Sequence, residues 1–173
     1  VFMEVHIEQG PVLINNEKKI GIVTGIAAPV RLHVKVKGKA SHSGTTPMNM
    51  RKDALLGASE ISLALEKAAK SEEEFGTVAT IGVLNVYNGA MNVVPGDVEF
   101  KIDIRSTSLN SRKRVLDQLN ETIEIVKKNR QLEIESIEIS SEEPVLLSTE
   151  INDVLKNICD EKNIPNQTMQ SGA

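Results

Sequence analysis

From residue 31 to residue 37 polar and apolar side chains alternate without a break. Arg31, His33, Lys35 and Lys37 fall on one side, Leu32, Val34 and Val36 on the other. A period of two places the three apolar residues on one face of a half-buried strand, and Gly38 ends it. Over residues 50–70 the step changes: Ala54, Leu55, Ala58, Ile61, Leu65 and Ala68 recur three or four apart, which predicts a helix with one apolar stripe. Residues 75–86 are rich in Val, Ile and Thr and predict a second strand, closed by the turn signal Asn88-Gly89. Residues 97–105 predict a third, with Val98, Phe100, Ile102 and Ile104 on one side. Asn110 or Ser111 can cap the next helix, whose stripe is Val115, Leu119, Ile123 and Val126. Residues 132–139 predict the last strand, with a phase slip near Ser136 that suggests a bulge.

The order is β-α-β-β-α-β. One-faced strands and two amphipathic helices pack most simply as an α+β domain, a four-stranded antiparallel sheet with both helices on one face. The opposite face, carrying Arg31, His33, Lys35 and Lys37, is expected to be wet. An edge strand of such a sheet can pair with a second copy. Proline-marked joints at Pro29 and at Glu142-Glu143-Pro144 divide the chain into residues 1–27, 28–143 and 144–173. The first segment holds short apolar runs at 1–7 and 20–26, the first strand-like, around the loop Asn15-Asn16-Glu17. The last holds one helix followed by a loop. The central segment is expected to fold on its own.

Composition narrows the partners. Aromatic residues are 2% of 173, with no Trp, so the core must be aliphatic and stacking platforms for single-stranded nucleic acid are missing. The net charge is −4 and no dense Lys/Arg cluster is present, so nucleic acid is not an expected partner. No apolar run reaches bilayer-spanning length, so neither is a membrane, and a cytoplasmic location is expected. One cysteine excludes an internal disulfide framework and a Cys-rich zinc site; Cys159 falls on a helix stripe, where a buried inert thiol is expected. The acidic runs Glu72-Glu73-Glu74 and Glu142-Glu143 read as solvated surface.

Three stretches can carry chemistry, each with a bland alternative. In Glu4-Val5-His6-Ile7-Glu8-Gln9-Gly10-Pro11 an apolar run ends in His and Glu before Gly-Pro breaks it. His6 could offer a neutral imidazole to a metal, with Glu8 or Gln9 close by; a lone His is more often structural. In Ala40-Ser41-His42-Ser43-Gly44-Thr45-Thr46-Pro47-Met48 small residues display His42, which could donate to a developing oxyanion or be a passive residue beside a helix cap. The third stretch combines Asn92-Val93-Val94-Pro95-Gly96 with Asp103-Ile104-Arg105. Arg105 could clasp a carboxylate and Asn92 a carbonyl or amide edge; equally, the first could be a plain hairpin connection and Arg105 could pair with Asp103.

Together these motifs resemble the amidase, hydantoinase and carbamoylase branch of the M20 metal-dependent amidohydrolases, which includes N-carbamoyl-L-amino-acid hydrolases and allantoate amidohydrolases. The resemblance covers the whole chain. It implies a lid or dimerisation domain at 28–143, flanked by pieces of a catalytic domain that holds two divalent metal ions (zinc, manganese, nickel or cobalt). It implies that these flanking pieces are of an α/β domain, that His6 is a metal ligand, Gln9 a substrate contact and His42 the group polarising the scissile carbonyl, in the partner subunit's active site, with Asn92 and Arg105 on the substrate carboxylate. The expected reaction is metal-hydroxide hydrolysis of a ureido or amide C–N bond in a small ureido acid, by a homodimer joined through the lid. The remaining metal ligands of the family have no counterpart between residues 1 and 173, so this chain alone is expected to be an inactive internal piece. A stand-alone dimerisation or ligand-binding module, and a peptidase acting on dipeptides, are the competing readings.

Overall fold

A computed structural model describes residues 2–172. In chain order the elements are α1 (Val12–Asn15), β1 (Ile20–Ile26), β2 (Ala28–Lys37), β3 (Ser41–His42), α2 (Ala54–Lys70), β4 (Val78–Val86), β5 (Val93–Val94), β6 (Asp97–Ser106), α3 (Leu109–Arg130), β7 (Glu133–Ser141), β8 (Val145–Leu146), α4 (Thr149–Glu161) and β9 (Asn166–Ser171), with single 3-10 turns at Met48–Met50 and Glu73–Phe75. They form two compact units. One is Ala28–Glu143; the other joins residues 2–27 to residues 144–172.

In the central unit β4, β6, β2 and β7 lie side by side in that order, all antiparallel. The alternation seen in the sequence sets the packing. Val30, Leu32, Val34 and Val36 of β2 and Val98, Phe100, Ile102 and Ile104 of β6 are buried on one face. There they meet Ala54, Ala58, Ile61, Leu65 and Ala68 of α2 and Val115, Leu119, Ile123 and Val126 of α3. The fold is the α+β arrangement that the periodicity predicts. The caps differ by a few residues. Asp53 accepts from the Leu56 N–H to start α2 at Ala54, and Ser108, ahead of the expected Asn110 or Ser111, accepts from Ser111 to start α3. The strand expected from residue 75 begins at Val78, because residues 73–75 close a 3-10 turn. The slip in β7 sits at Ile139, not Ser136: Arg31 faces Ser140 and Leu32 faces Glu138.

Two surface expectations need correction. On the face carrying Arg31, His33, Lys35 and Lys37 only Lys37 is fully exposed; the other three are half-buried and ion-paired, with Arg31 on Asp103 (3.0 Å), His33 on Glu99 (3.0 Å) and Lys35 near Glu135 (3.9 Å). Glu72 is buried, not solvated. Arg114 grips both of its carboxylate oxygens while stacking over Phe75, and this hydrogen bonding holds the Glu72 carboxyl below the usual carboxylate range against the opposing effect of burial. At the unit's margin the buried Arg112 donates from Nη1 to the carbonyls of Ala28 (3.1 Å) and Glu142 (2.6 Å), tying the first residue of β2 to the exit from β7.

In the other unit β8, β1 and β9 form a three-stranded sheet, β9 parallel and β8 antiparallel to β1. Here the sequence misleads twice. Residues 2–9 form no strand and are almost entirely exposed, since an extended apolar run becomes a strand only where a neighbour accepts its hydrogen bonds. The expected terminal loop is the strand β9, which β1 recruits. Cys159 is free and buried in α4. No helix among the described residues is long and apolar enough to cross a membrane.

Candidate substrate-binding site

The chain crosses itself closely just beyond the Lys37–Asp97 end of the sheet. Gly38 donates to the Gly96 carbonyl at 2.9 Å, Lys39 donates to Lys52, and Ala54 donates to the Pro95 carbonyl. Gly96 permits the crossing, since a Cβ there would lie 2.4 Å from the Ala40 nitrogen. The crossing lets β3 pair with β5, so that His42 faces Val93 and the Ser43 N–H donates to the Asn92 carbonyl at 2.8 Å. Two of the motifs therefore share one small ribbon, with His42 and Asn92 both exposed on it.

The state of the His42 ring follows from its partner. The Gly44 N–H lies 3.1 Å from Nδ1. A backbone N–H can only donate, so Nδ1 is the acceptor, and the neutral imidazole carries its proton on Nε2. A hydrogen-bond donor is thereby presented at an exposed position, as polarising a carbonyl requires. Arg51, which the sequence did not single out, holds the same turn. It donates from Nη2 to the Ser43 carbonyl (2.5 Å) and from Nε to the Thr46 carbonyl (3.0 Å).

Arg105 lies elsewhere. It faces Pro29 across β2, whereas Asp97, at the ribbon end of β6, faces Lys37. Eight residue steps at about 3.4 Å separate the two ends, about 27 Å along the strand. Within one chain, then, the structure brings His42 and Asn92 together and keeps Arg105 apart. The Arg105 guanidinium grips Asp103 through Nε–Oδ1 (2.7 Å) and Nη2–Oδ2 (3.1 Å), and Arg31 donates to the same carboxylate. The Arg105 hydrogen bond, helped by Arg31, holds the Asp103 carboxyl below its ordinary range in spite of burial, and Asp103 in turn raises Arg105.

His6 and Gln9 lie in the other unit. His6 is exposed, its Nε2 3.1 Å from Glu4 Oε2. Glu8 is engaged in accepting from the Val12 and Leu13 N–H groups at the start of α1. Gln9 has a positive φ of 55°. Among the described residues no three His, Cys, Asp or Glu side chains are gathered to hold a metal ion. One imidazole beside one carboxylate is too few for a two-metal centre, so these residues do not fit such a centre by themselves.

The motif-bearing ribbon and three of the four sheet strands, β2, β4 and β6, lie within one recognisable block: the profile of the peptidase dimerisation domain of the M20 group matches residues 28–131. The chain belongs to this M20 dimerisation-domain family. Over 172 residues it is 38% identical to an N-carbamoyl-L-amino-acid amidohydrolase of Pseudomonas sp., covering 99% of this chain and 42% of that protein. A ureidoglycolate hydrolase of Arabidopsis thaliana is 35% identical over 175 residues, covering 99% of this chain and 36% of the relative. A solved structure of a hydantoinase/carbamoylase-family amidase from Burkholderia multivorans superposes with a TM-score of 0.93 at 29% identity, over 97% of this chain and 41% of that one. This M20-family chain thus spans about two-fifths of the length of the relatives it matches.

Proposed function

We propose that this chain is the substrate-gripping part of an amidohydrolase that cleaves a ureido or amide C–N bond in a small acid of the N-carbamoyl amino acid, ureidoglycolate or allantoate type. The observation that carries the reading is the ribbon geometry: His42, fixed as an Nε2–H donor, stands beside Asn92 while Arg105 lies about 27 Å away along β6. In this reading Arg105 holds the substrate carboxylate with the two-pronged grip it shows on Asp103. Asn92 takes the neighbouring amide or carboxylate edge. His42 donates to the scissile carbonyl, a bond that strengthens as negative charge builds on the oxygen.

One chain cannot bring both ends of its sheet to one small molecule. Each complete site therefore takes His42 and Asn92 from one copy and Arg105 from the other, which requires a homodimer. The β4 edge is the better pairing surface, because Val78–Val86 carries no charge and exposes Val78, Val83 and Leu84. The β7 edge bears Glu133, Glu135 and Glu138, which discourage strand addition. His6 is proposed as a single metal ligand and Gln9 as a substrate contact. The steps assigned to this chain concern binding and polarisation alone. The dimerisation-domain family also favours a second reading, a peptidase acting on dipeptides.

Full-length protein assayed on N-carbamoyl amino acids, ureidoglycolate, allantoate and dipeptides separates the two readings. His42→Ala is expected to lower kcat by roughly 10²–10³ on the preferred substrate; an unchanged kcat returns His42 to a surface role. Mixing His42→Ala copies with Arg105→Ala copies is expected to restore about a quarter of wild-type activity, because each mixed dimer regains one intact site. No recovery on mixing places both residues in the same site of one chain and refutes the shared arrangement.

A further inference from the structure

We propose that Arg51 is a positioning residue for His42, setting the orientation and tautomer of its ring through the Ser43–Thr46 turn. The inference rests on the role of His42 given above but is drawn from separate hydrogen bonds. Four contacts form a closed chain. The Arg51 guanidinium donates to the Ser43 carbonyl at 2.5 Å and to the Thr46 carbonyl at 3.0 Å, at the two ends of the turn. Inside the turn the Thr46 N–H donates to the His42 carbonyl at 3.1 Å, and the Gly44 N–H donates to His42 Nδ1 at 3.1 Å. The rigid fork of Arg51 spans two carbonyls at once, which a lysine ammonium on a flexible stem does not do with the same directionality.

Apart from the Ser43 N–H bond to the Asn92 carbonyl, the turn has little else to hold it. Gly44, Thr45 and Pro47 are exposed, and no side chain from 43 to 47 joins the core. Without the Arg51 clasp the Ser43 and Thr46 carbonyls turn to water, and the Gly44 N–H loses its fixed aim at Nδ1. Either ring nitrogen can then carry the proton. The ring and the turn also fit closely, since a Cβ at Gly44 would lie 3.2 Å from His42 Cε1. The hydrogen bonds of Arg51 go to the Ser43 and Thr46 carbonyls and not to the ring. Arg51 acts only through the turn.

The test reads the ring itself. The chain has three histidines, His6, His33 and His42, so ring ¹⁵N resonances of the labelled 173-residue chain can be assigned with His→Gln variants. At about pH 8.5, well above the ordinary imidazole value of about 6.5, wild-type His42 should show widely separated Nδ1 and Nε2 signals of a single Nε2–H tautomer. In Arg51→Met these signals should move toward each other, and amide exchange at Gly44 and Thr46 should quicken at least tenfold. The His33 ring, held by Glu99 on the sheet, should not move and serves as the fold control. If Arg51→Met moves His33 as well, Arg51→Lys is read in the same way and should shift His42 alone. A folded variant with unchanged His42 signals overturns the proposal. Unfolding of both variants also overturns it, because Arg51 would then support the whole unit. The readout involves no turnover, so a negative His42→Ala kinetic result and a failed Arg51 result are distinguishable.

Discussion

Replacing Gly96 by Ala tests whether the backbone crossing that builds the ribbon is as tight as the structure shows. The new Cβ would stand 2.4 Å from the Ala40 nitrogen, 3.0 Å from the Ala40 Cβ and 3.1 Å from the Ala40 Cα. The closest of these contacts is to backbone, so the strain cannot be relieved by turning a side chain. Overpacking of this kind costs about 1–3 kcal/mol. Separating the chains also stretches the 2.9 Å Gly38–Gly96 hydrogen bond, worth about 1 kcal/mol. Against this, Gly→Ala lowers the entropy of the unfolded chain and returns about 0.4–1 kcal/mol. The balance is a net loss of about 1–3.6 kcal/mol.

Tyr87 is the sole tyrosine in a chain without tryptophan, and it belongs to the central unit. Its fluorescence during urea unfolding therefore reports the stability of that unit. At an m-value of about 1–3 kcal/mol per molar, the Gly96→Ala midpoint should fall by roughly 1 M. Gly82→Ala is the control: nothing lies within 4 Å of a Cβ at that bulge in β4, so its midpoint should hold or rise slightly. A Gly96→Ala midpoint at or above wild type would refute the close approach, and with it the account of how His42 and Asn92 meet.

Further outcomes are expected from the same unit. Arg112→Met removes two charge-assisted hydrogen bonds to the carbonyls of Ala28 and Glu142; it should cost about 2–4 kcal/mol and speed exchange of the Glu142 N–H, which donates to Pro29. Asp103 ionises more readily in the folded state, so its contribution is full above the unfolded value of about 3.9 and fades as pH falls through the lower folded value. Urea midpoints below about pH 4 should accordingly decline less steeply for Asp103→Asn than for wild type, and parallel declines would contradict the ion-pair account. Val83→Lys places a charge on the uncharged β4 edge and should convert a sedimenting dimer to monomer, whereas Ile139→Lys on β7 should not; a Val83→Lys dimer excludes that edge.

How much of this could be read in the chain depended on whether the cause was local. Strands such as 31–37 and 97–105 announce themselves because their burial is one-sided, and period two is the trace that one-sided burial leaves. The helix stripes are legible for the same reason. The Asn166–Ser171 strand is polar and unpatterned; β1 makes it a strand by pairing with it, which nothing within those six residues could reveal. Residues 2–9 show the converse, strand-like in composition but without a partner strand among the described residues. Glu72 read as surface because it opens an acidic run. Its buried carboxylate is paired with Arg114, 42 residues away.

The candidate site divides along the same line. His42 and Asn92 stand out because small or turn-forming neighbours leave a polar group displayed, and Arg105 because it is a guanidinium near the end of an apolar-patterned strand. Arg51 does not, since what it binds are backbone carbonyls, and carbonyls are the same in every sequence. Nor can a motif carry distance. Read as a string, Asn92 and Arg105 are 13 positions apart and invite a common role at one spot. A turn followed by a strand places them at opposite ends of the sheet instead. Antiparallel pairing of two copies along one edge is the simplest symmetry that can bring opposite ends together, because a two-fold axis sets the beginning of each strand against the end of its mate. The separation that looks like a fault in a single chain is therefore an argument for the pair, and mixing His42→Ala with Arg105→Ala copies puts that argument to its sharpest trial.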